Sequence, residues 1–351
     1  MKTLRCLRPA QWRNSFHPRL YAALAALVYI GLVNLLFDYA VVFEFNPDEG
    51  NNLIKTLLLD RGFKLGSEVW TDQAPGFTYL LWGVFKLFGW SVDAARQAVL
   101  FFAGISIFVV YDVLRSSFES RSGHSAAIAG CIILFVSTLF VRLSVSVMIG
   151  LPAIAVMLLA VWCLNEYLEK PRAHWLVLSA TLMGFSVGIK MFTGFLVPVY
   201  AVFLAVHLVR NETSFSWRHQ ARHFSLFLSG FIISFLICLS PLIMNGALSE
   251  LLEPHLAMRM AKGGDADGVW AILGFIRQDR ILFILALLGT LQALRIQKRS
   301  IYLWILWIFS AAVALFDHSP VWAHHRLLLT APGAILAGYL LGEIIKRFNQ
   351  C

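Results

Sequence analysis

The chain has 351 residues, 59% of them hydrophobic and only 14% charged, and its mean hydropathy is +0.72. Soluble proteins carry about 25% charged residues, so composition excludes a water-soluble globular enzyme. The net charge of +9 does not mark a nucleic-acid binder. Its basic residues fall in blocks between apolar runs, at Lys2 to Arg19, Arg115/Arg121, Lys170/Arg172, Arg210/Arg218/Arg222, Arg295/Lys298/Arg299 and Lys346/Arg347, as in the cytoplasmic loops of a polytopic membrane protein.

A membrane span needs about 20 mainly apolar residues, and the lipid leaves a single chain only helices or closed barrels with which to cross. The first predicted span, 20–43, is too long for a signal-peptide core and stays uncleaved. Segment 44–93 follows on the outer side. Within it Leu53, Ile54, Leu57 and Leu58 repeat at helical spacing, which predicts an amphipathic helix lying in the interface. A second juxtamembrane helix is predicted over 75–89. Were that piece to cross, Arg115 and Arg121 would lie outside and every later loop would invert against its basic residues.

The remaining spans are predicted near 94–115, 123–142, 145–165, 174–190, 191–209, 222–244, 280–296, 300–317 and 326–345. The fold expected is therefore all-α, a single transmembrane domain over 1–351 with about ten spans, no separate soluble domain and both termini cytoplasmic. Segment 245–279 forms a second outer loop, Gly-rich in its middle and a candidate lid. The sequon Asn211-Glu212-Thr213 falls on the cytoplasmic side, where it goes unused. The cysteines Cys6, Cys131, Cys163, Cys238 and Cys351 show no C-x-x-C spacing and suggest neither a disulfide framework nor zinc.

Most acidic residues fall on the outer side, among them Glu44, Asp48, Glu49, Asp60, Glu68, Asp72, Asp93, Asp265, Asp279 and Asp317. Topology does not ask for them, since acids contribute little to orientation, so a binding or catalytic mouth is expected there. In Asn46-Pro47-Asp48-Glu49-Gly50, Asp48 is either a helix N-cap or a general base at the membrane surface. Trp70 to Leu80 is a polar turn running into an aromatic helix, read as an interfacial belt or a binding element. Arg96, Lys190 and Arg326 fall near outer ends of spans, where positive-inside logic disfavours them. They either snorkel or bind phosphate. His324 and His325 point to different faces of a helix and make a poor metal pair.

Taken in order, Pro47-Asp48-Glu49, Thr71-Asp72-Gln73-Ala74-Pro75-Gly76-Phe77-Thr78-Tyr79, Asp93-Ala94-Ala95-Arg96 and Gly184-Phe185-Ser186-Val187-Gly188-Ile189-Lys190 resemble the GT-C glycosyltransferases. The likeness is to the group of protein mannosyltransferases and aminoarabinose transferases that use polyprenyl-phosphate sugars, and it covers roughly 20–210. It implies an inverting transfer from a polyprenyl-phosphate-linked sugar to a lipid, glycan or protein acceptor, at the outer face of a bacterial inner membrane. In that scheme Asp48 is the base with Glu49 supporting it, and Arg96, Lys190 and Arg326 neutralise the donor phosphate. Asp72, Gln73, Tyr79, His324 and His325 contact substrate.

The sequence departs from the family where related enzymes carry an acid after the third span. Here 142–150 reads RLSVSVMIG, which leaves Asp48 and Glu49 as a thin ligand set for a divalent metal. The family's Pro-Pro is Ala74-Pro75, and nothing follows the last span that would form an outer acceptor domain. The rival readings are a transporter or flippase of a lipid-linked sugar, which would place ionisable groups at mid-membrane with repeat symmetry, and a non-catalytic assembly subunit.

Overall fold

The computed structural model describes residues 17–118, 122–211, 217–253, 267–316, 318 and 321–349. Expectations resting on Lys2 to Arg13, Cys6, Arg121, Glu212-Thr213, Asp265, Asp317 and Cys351 lie outside the described residues. So does the middle of the 245–279 loop.

Helices carry the fold. In chain order they are α1 His17–Leu36, α2 Pro47–Asp60, α3 Gly76–Phe88, α4 Val92–Ser116, α5 Ser122–Val136, α6 Thr138–Ser144, α7 Gly150–Glu169, α8 Ala173–Ile189, α9 Leu196–Asn211, α10 Trp217–Met244, α11 Asp267–Gln278, α12 Arg280–Arg295, α13 Arg299–Phe316 and α14 Leu327–Phe348. Each of the ten expected spans contains helix, and the two helices expected in segment 44–93 are present as α2 and α3. Seven helices are long and apolar enough to cross a membrane, and the α5–α6 pair would make eight. That is fewer than the ten spans expected, because α8 and α12 are shorter, at 17 and 16 residues. The chain is an integral membrane protein.

Burial runs outward from a central set. Of the span windows, 83% of the one in α7 is buried against 17% of the one in α1, whose Leu20, Leu24, Leu27 and Leu35 are exposed. An apolar side chain facing out along a whole helix is at home only against lipid. Helices α4, α7 and α14 hold the interior, with α1 against α4, α5 against α14, and α8 between α7 and α10.

Three features differ from the sequence reading. The first span ends at Leu36 rather than residue 43 and gives way to a short 3-10 turn, Tyr39–Val41, so Asp38 lies beyond the helix. The third span is two helices, bent by 76° at Ser137. Part of the 245–279 loop is helix α11.

The α8–α10 contact explains two glycines. A Cβ on Gly184 would overlap the Ser234 hydroxyl and the Phe231 carbonyl, and one on Gly188 would overlap the Cys238 side chain. Small residues four apart let two helix backbones approach closely where lipid supplies no hydrophobic drive. Because the Phe231 carbonyl belongs to the helix backbone and cannot move aside, Gly184→Leu should cost about 1–3 kcal/mol by overpacking. The check is the thermal midpoint of the detergent-solubilised protein, expected to fall by several degrees. An unchanged midpoint would show that these helices do not touch at Gly184.

Candidate active site

The site is built on the first turn of α2. Asn46 has extended backbone, and its side chain accepts from the Asp48 N–H at 3.0 Å, with Pro47 opening the helix. Asn46 is therefore the cap, as a proline at the first helical position favours. Asp48 is not, and its exposed carboxylate is left free.

Glu49 points the other way, into the protein, and is 1% exposed. Its Oε1 accepts from Arg96 Nε at 3.0 Å and from the Val147 N–H at 3.0 Å. Its Oε2 accepts from Arg96 Nη2 at 3.0 Å and from the Phe45 N–H at 3.1 Å. Arg96, equally buried, gives its other hydrogens to the carbonyls of Tyr39 at 2.7 Å, Val42 at 3.0 Å and Phe43 at 3.5 Å. These carbonyls belong to the stretch where α1 was expected to continue. Burial alone would raise the Glu49 pKa, but the Arg96 bonds and the two backbone N–H groups outweigh it and hold the carboxyl below its usual range.

This corrects the role expected of Arg96. Its guanidinium is filled by Glu49 and three carbonyls, leaving no fork to offer a phosphate. Arg326 is also paired: its Nε stands 3.2 Å from Asp279 Oδ2, and Nη1 donates to Gln278 Oε1. Only Lys190, of the three cations expected to bind phosphate, has no carboxylate within ion-pair distance among the described residues. It follows α8 at the start of a 3-10 turn, Met191–Phe195. Burial pushes its ammonium down to about 8, against the upward pull of Asp48 and Asp72. Those two acids are thus its electrostatic partners.

Asp72 accepts from Lys55 at 3.2 Å and from Gln73 Nε2 at 3.2 Å. Burial raises its pKa, yet these partners bring it below the ordinary value. Lys55 also sits 4.9 Å from the Trp70 ring. His325 stacks on Phe192 with centroids 5.1 Å apart, and His318 and His324 pack at its edges. Both His324 and His325 feel the Lys190 charge. Tyr79 stands apart, packed with Leu65 and Val69 in a smaller apolar cluster and edge-on to Trp82.

Sequence reasoning missed a further cation. Arg142, at the end of α6, is exposed and donates through Nη2 to the Phe45 carbonyl. The chain then crosses the first turns of α2. The Val147 N–H meets Glu49 and its carbonyl accepts from Asn52 at 2.9 Å. Gly150 ends the crossing, with Lys190 Nζ 4.0 Å from where its Cβ would be. The signal was available, since Arg142 too falls at the outer end of a predicted span. Among the described residues no three His, Cys, Asp or Glu side chains stand together as metal ligands. With Glu49 saturated and Asp72 engaged, Asp48 is the one open carboxylate beside Lys190, and the donor set does not fit a divalent ion.

The pair also predicts a stability effect. Glu49→Gln leaves Arg96 buried against a neutral partner, and breaking a buried pair costs about 3–5 kcal/mol, whereas Asp48→Asn should leave the thermal midpoint unchanged. Because the folded pKa of Glu49 lies below its unfolded value, its contribution is full at neutral pH and is lost as pH falls through the carboxylate range. Melting curves of the three proteins at neutral and acid pH check both statements, and equal midpoints for Glu49→Gln and wild type would refute them.

The dolichyl-phosphate-mannose-protein mannosyltransferase family matches residues 72–244, a segment containing Arg96, Arg142 and Lys190 and beginning after Asp48. The crystal structure of ArnT from Cupriavidus metallidurans bound to undecaprenyl phosphate aligns with a TM-score of 0.70 at 15% identity, covering 92% of this chain and 59% of that one. The apo ArnT structure aligns at 0.65 with 17% identity, covering 91% and 60%. The Archaeoglobus fulgidus oligosaccharyltransferase tethered to an acceptor peptide aligns at 0.56 with 12% identity, covering 96% and 50%. The chain thus spans about three fifths of the length of ArnT. No curated protein matches it. The chain is a GT-C-fold membrane protein, similar over 72–244 to the dolichyl-phosphate-mannose-protein mannosyltransferases.

Proposed function

We propose that the chain is an inverting glycosyltransferase. It moves a sugar from a polyprenyl-phosphate donor to a lipid, glycan or protein acceptor on the outer face of a bacterial inner membrane, with both termini cytoplasmic. The observation that carries this reading is the exposed Asp48 carboxylate, whose charge acts on the Lys190 ammonium, on a helix turn fixed by the buried Glu49–Arg96 pair. The GT-C fold and the undecaprenyl phosphate held by ArnT support the class of donor. The basic blocks at the opposite ends of the spans support the orientation.

In this mechanism Asp48 takes the proton from an acceptor hydroxyl or amine. The acceptor atom attacks the anomeric carbon as the bond from that carbon to the phosphate oxygen breaks, and the bonding pair leaves with the polyprenyl phosphate. One displacement inverts the anomeric centre. The phosphate is already a good leaving group, so a second carboxyl acid is not needed, unlike in soluble glycosidases. Lys190 stabilises the negative charge developing on the departing phosphate. Asp72, Gln73, His324 and His325 line the approach to Lys190 and orient the sugar. A transporter is less well supported, because Asp48, Lys190 and Arg142 all lie at or near helix ends rather than at mid-span.

Membranes containing wild-type or Asp48→Asn protein, supplied with polyprenyl-phosphate-linked radiolabelled sugars, test the reading. The mutant should lose transfer by roughly a hundredfold or more at equal protein level. Equal transfer would remove Asp48 from the chemistry, and no wild-type transfer across a broad donor panel would favour a transporter. A second prediction concerns pH. Lys190 is charged below about 8, so the transfer rate should decline as pH rises through that value. Lys190→Ala should be slow throughout and lack this alkaline limb, and an identical limb in that variant would assign the decline to another group.

A further inference from the structure

We propose that Arg142 is a second phosphate-binding cation, and that with Lys190 it does electrostatically what a divalent metal would otherwise do beside Asp48. The inference rests on the glycosyltransferase reading and names how that site holds its donor.

Position is the first argument. The 76° bend at Ser137 turns α6 out of line with α5 and brings Arg142 to the Phe45 carbonyl, three residues before Asp48. The same peptide unit region is fixed from behind, because the Phe45 N–H is bound by Glu49. Arg142 and Lys190 thereby stand at the two ends of one crossing segment, 142–150, which is fastened to α2 midway by Val147 through Glu49 and Asn52. They flank the turn that carries Asp48.

Availability is the second. Arg142 is exposed, and among the described residues its guanidinium makes one bond, to a neutral carbonyl, with no carboxylate partner. The contrast with Arg96, filled by Glu49 and three carbonyls, and with Arg326, ion-paired with Asp279, separates a scaffold cation from one left to meet a ligand. A guanidinium offers a planar fork that matches two phosphate oxygens, which an ammonium cannot do.

Charge balance is the third. Glu49 with Arg96 and Asp72 with Lys55 are neutral pairs. Asp48, Lys190 and Arg142 together leave one positive charge, which a sugar phosphodiester neutralises on binding. A divalent cation would add two more positive charges beside two cations already present. It would also find a single open carboxylate, where hard cations seek several oxygen ligands. The protein cations therefore oppose the metal as well as replacing it.

Binding of undecaprenyl phosphate to the purified full chain in detergent, with and without prior EDTA, tests this apart from turnover. Undecaprenol, which lacks the phosphate, and inorganic phosphate serve as comparison ligands. Wild type should bind the lipid phosphate with an affinity that EDTA leaves unchanged. Arg142→Ala should weaken it by about ten- to a hundredfold, the scale of one lost charge-assisted hydrogen bond, and Arg142→Lys should fall between. Undecaprenol should bind both proteins alike, and the Arg142→Ala loss should persist at matched thermal midpoints. Binding lost with EDTA and restored by a divalent cation would overturn the inference while leaving the glycosyltransferase reading standing, as would unchanged affinity in Arg142→Ala. Loss of undecaprenol and undecaprenyl phosphate in equal measure would make Arg142 a structural residue and overturn it too. Wild-type protein that captures neither lipid nor inorganic phosphate would overturn both readings together.

Discussion

Everything at the candidate site depends on the Glu49–Arg96 pair. Two opposite charges, both 1% exposed, sit where neither is hydrated. Such a pair is tolerable only if its geometry is good and its remaining lone pairs and hydrogens are used. Here the carboxylate receives four N–H groups and the guanidinium reaches three carbonyls. One interaction thereby joins α2, α4, the end of α1 and the segment after α6. Neighbouring residues on a helix lie about 100° apart around its axis, so fixing Glu49 inward turns Asp48 about a quarter-turn away, onto the exposed flank of the helix. The orientation of the proposed base follows from the burial of the residue beside it.

The same logic sorts the other ions. In a medium that penalises an unpaired charge, most charged groups at this end have been given a partner: Arg96 with Glu49, Arg326 with Asp279, Lys55 with Asp72 and Lys86 with Asp60. These pairs hold the scaffold. Asp48, Lys190 and Arg142 lack such a partner among the described residues, and segment 142–150 links the two cations past the first turns of α2. Charges kept near an interface without internal compensation are ones that a ligand is expected to complete. Partnering, more than residue type, is what distinguishes the proposed binding groups from framework here.

This is also where the sequence stopped being informative. Apolar run lengths were enough for the helices, because these follow from local composition. The Asp48-Glu49 turn was visible as well. What could not be read was which outer cation belonged to which acid. Arg96 stands 47 residues from Glu49, and an arginine out of place by the positive-inside rule looks the same whether it awaits a phosphate or a carboxylate. Arg142 was passed over for a different reason. In segment 142–150 the family pattern asks for an acid, and nothing in that pattern marks the basic residue at its start. Asn46 was legible as the cap from the proline that follows it, but the acid two residues later drew the assignment.

The breaks in the helices fall near this same end. Helix α1 stops at Leu36, α5 bends into α6 at Ser137, α8 ends at Lys190, and a 3-10 turn over Ala323–Arg326 precedes α14. Irregular backbone near a bilayer is tolerated only where protein groups satisfy it. At two of the breaks the satisfying groups are charged side chains of the site itself. Arg96 takes the carbonyls freed where α1 ends, Glu49 takes the N–H groups of Phe45 and Val147, and Arg142 takes the Phe45 carbonyl. The breaks bring charges from distant helices to one surface, and those charges in turn make the breaks affordable in a membrane. An apolar substitution at Glu49 or Arg96 would therefore remove more than an ion pair, because the unwound peptides would be left with polar groups that neither lipid nor a neighbouring helix can bind.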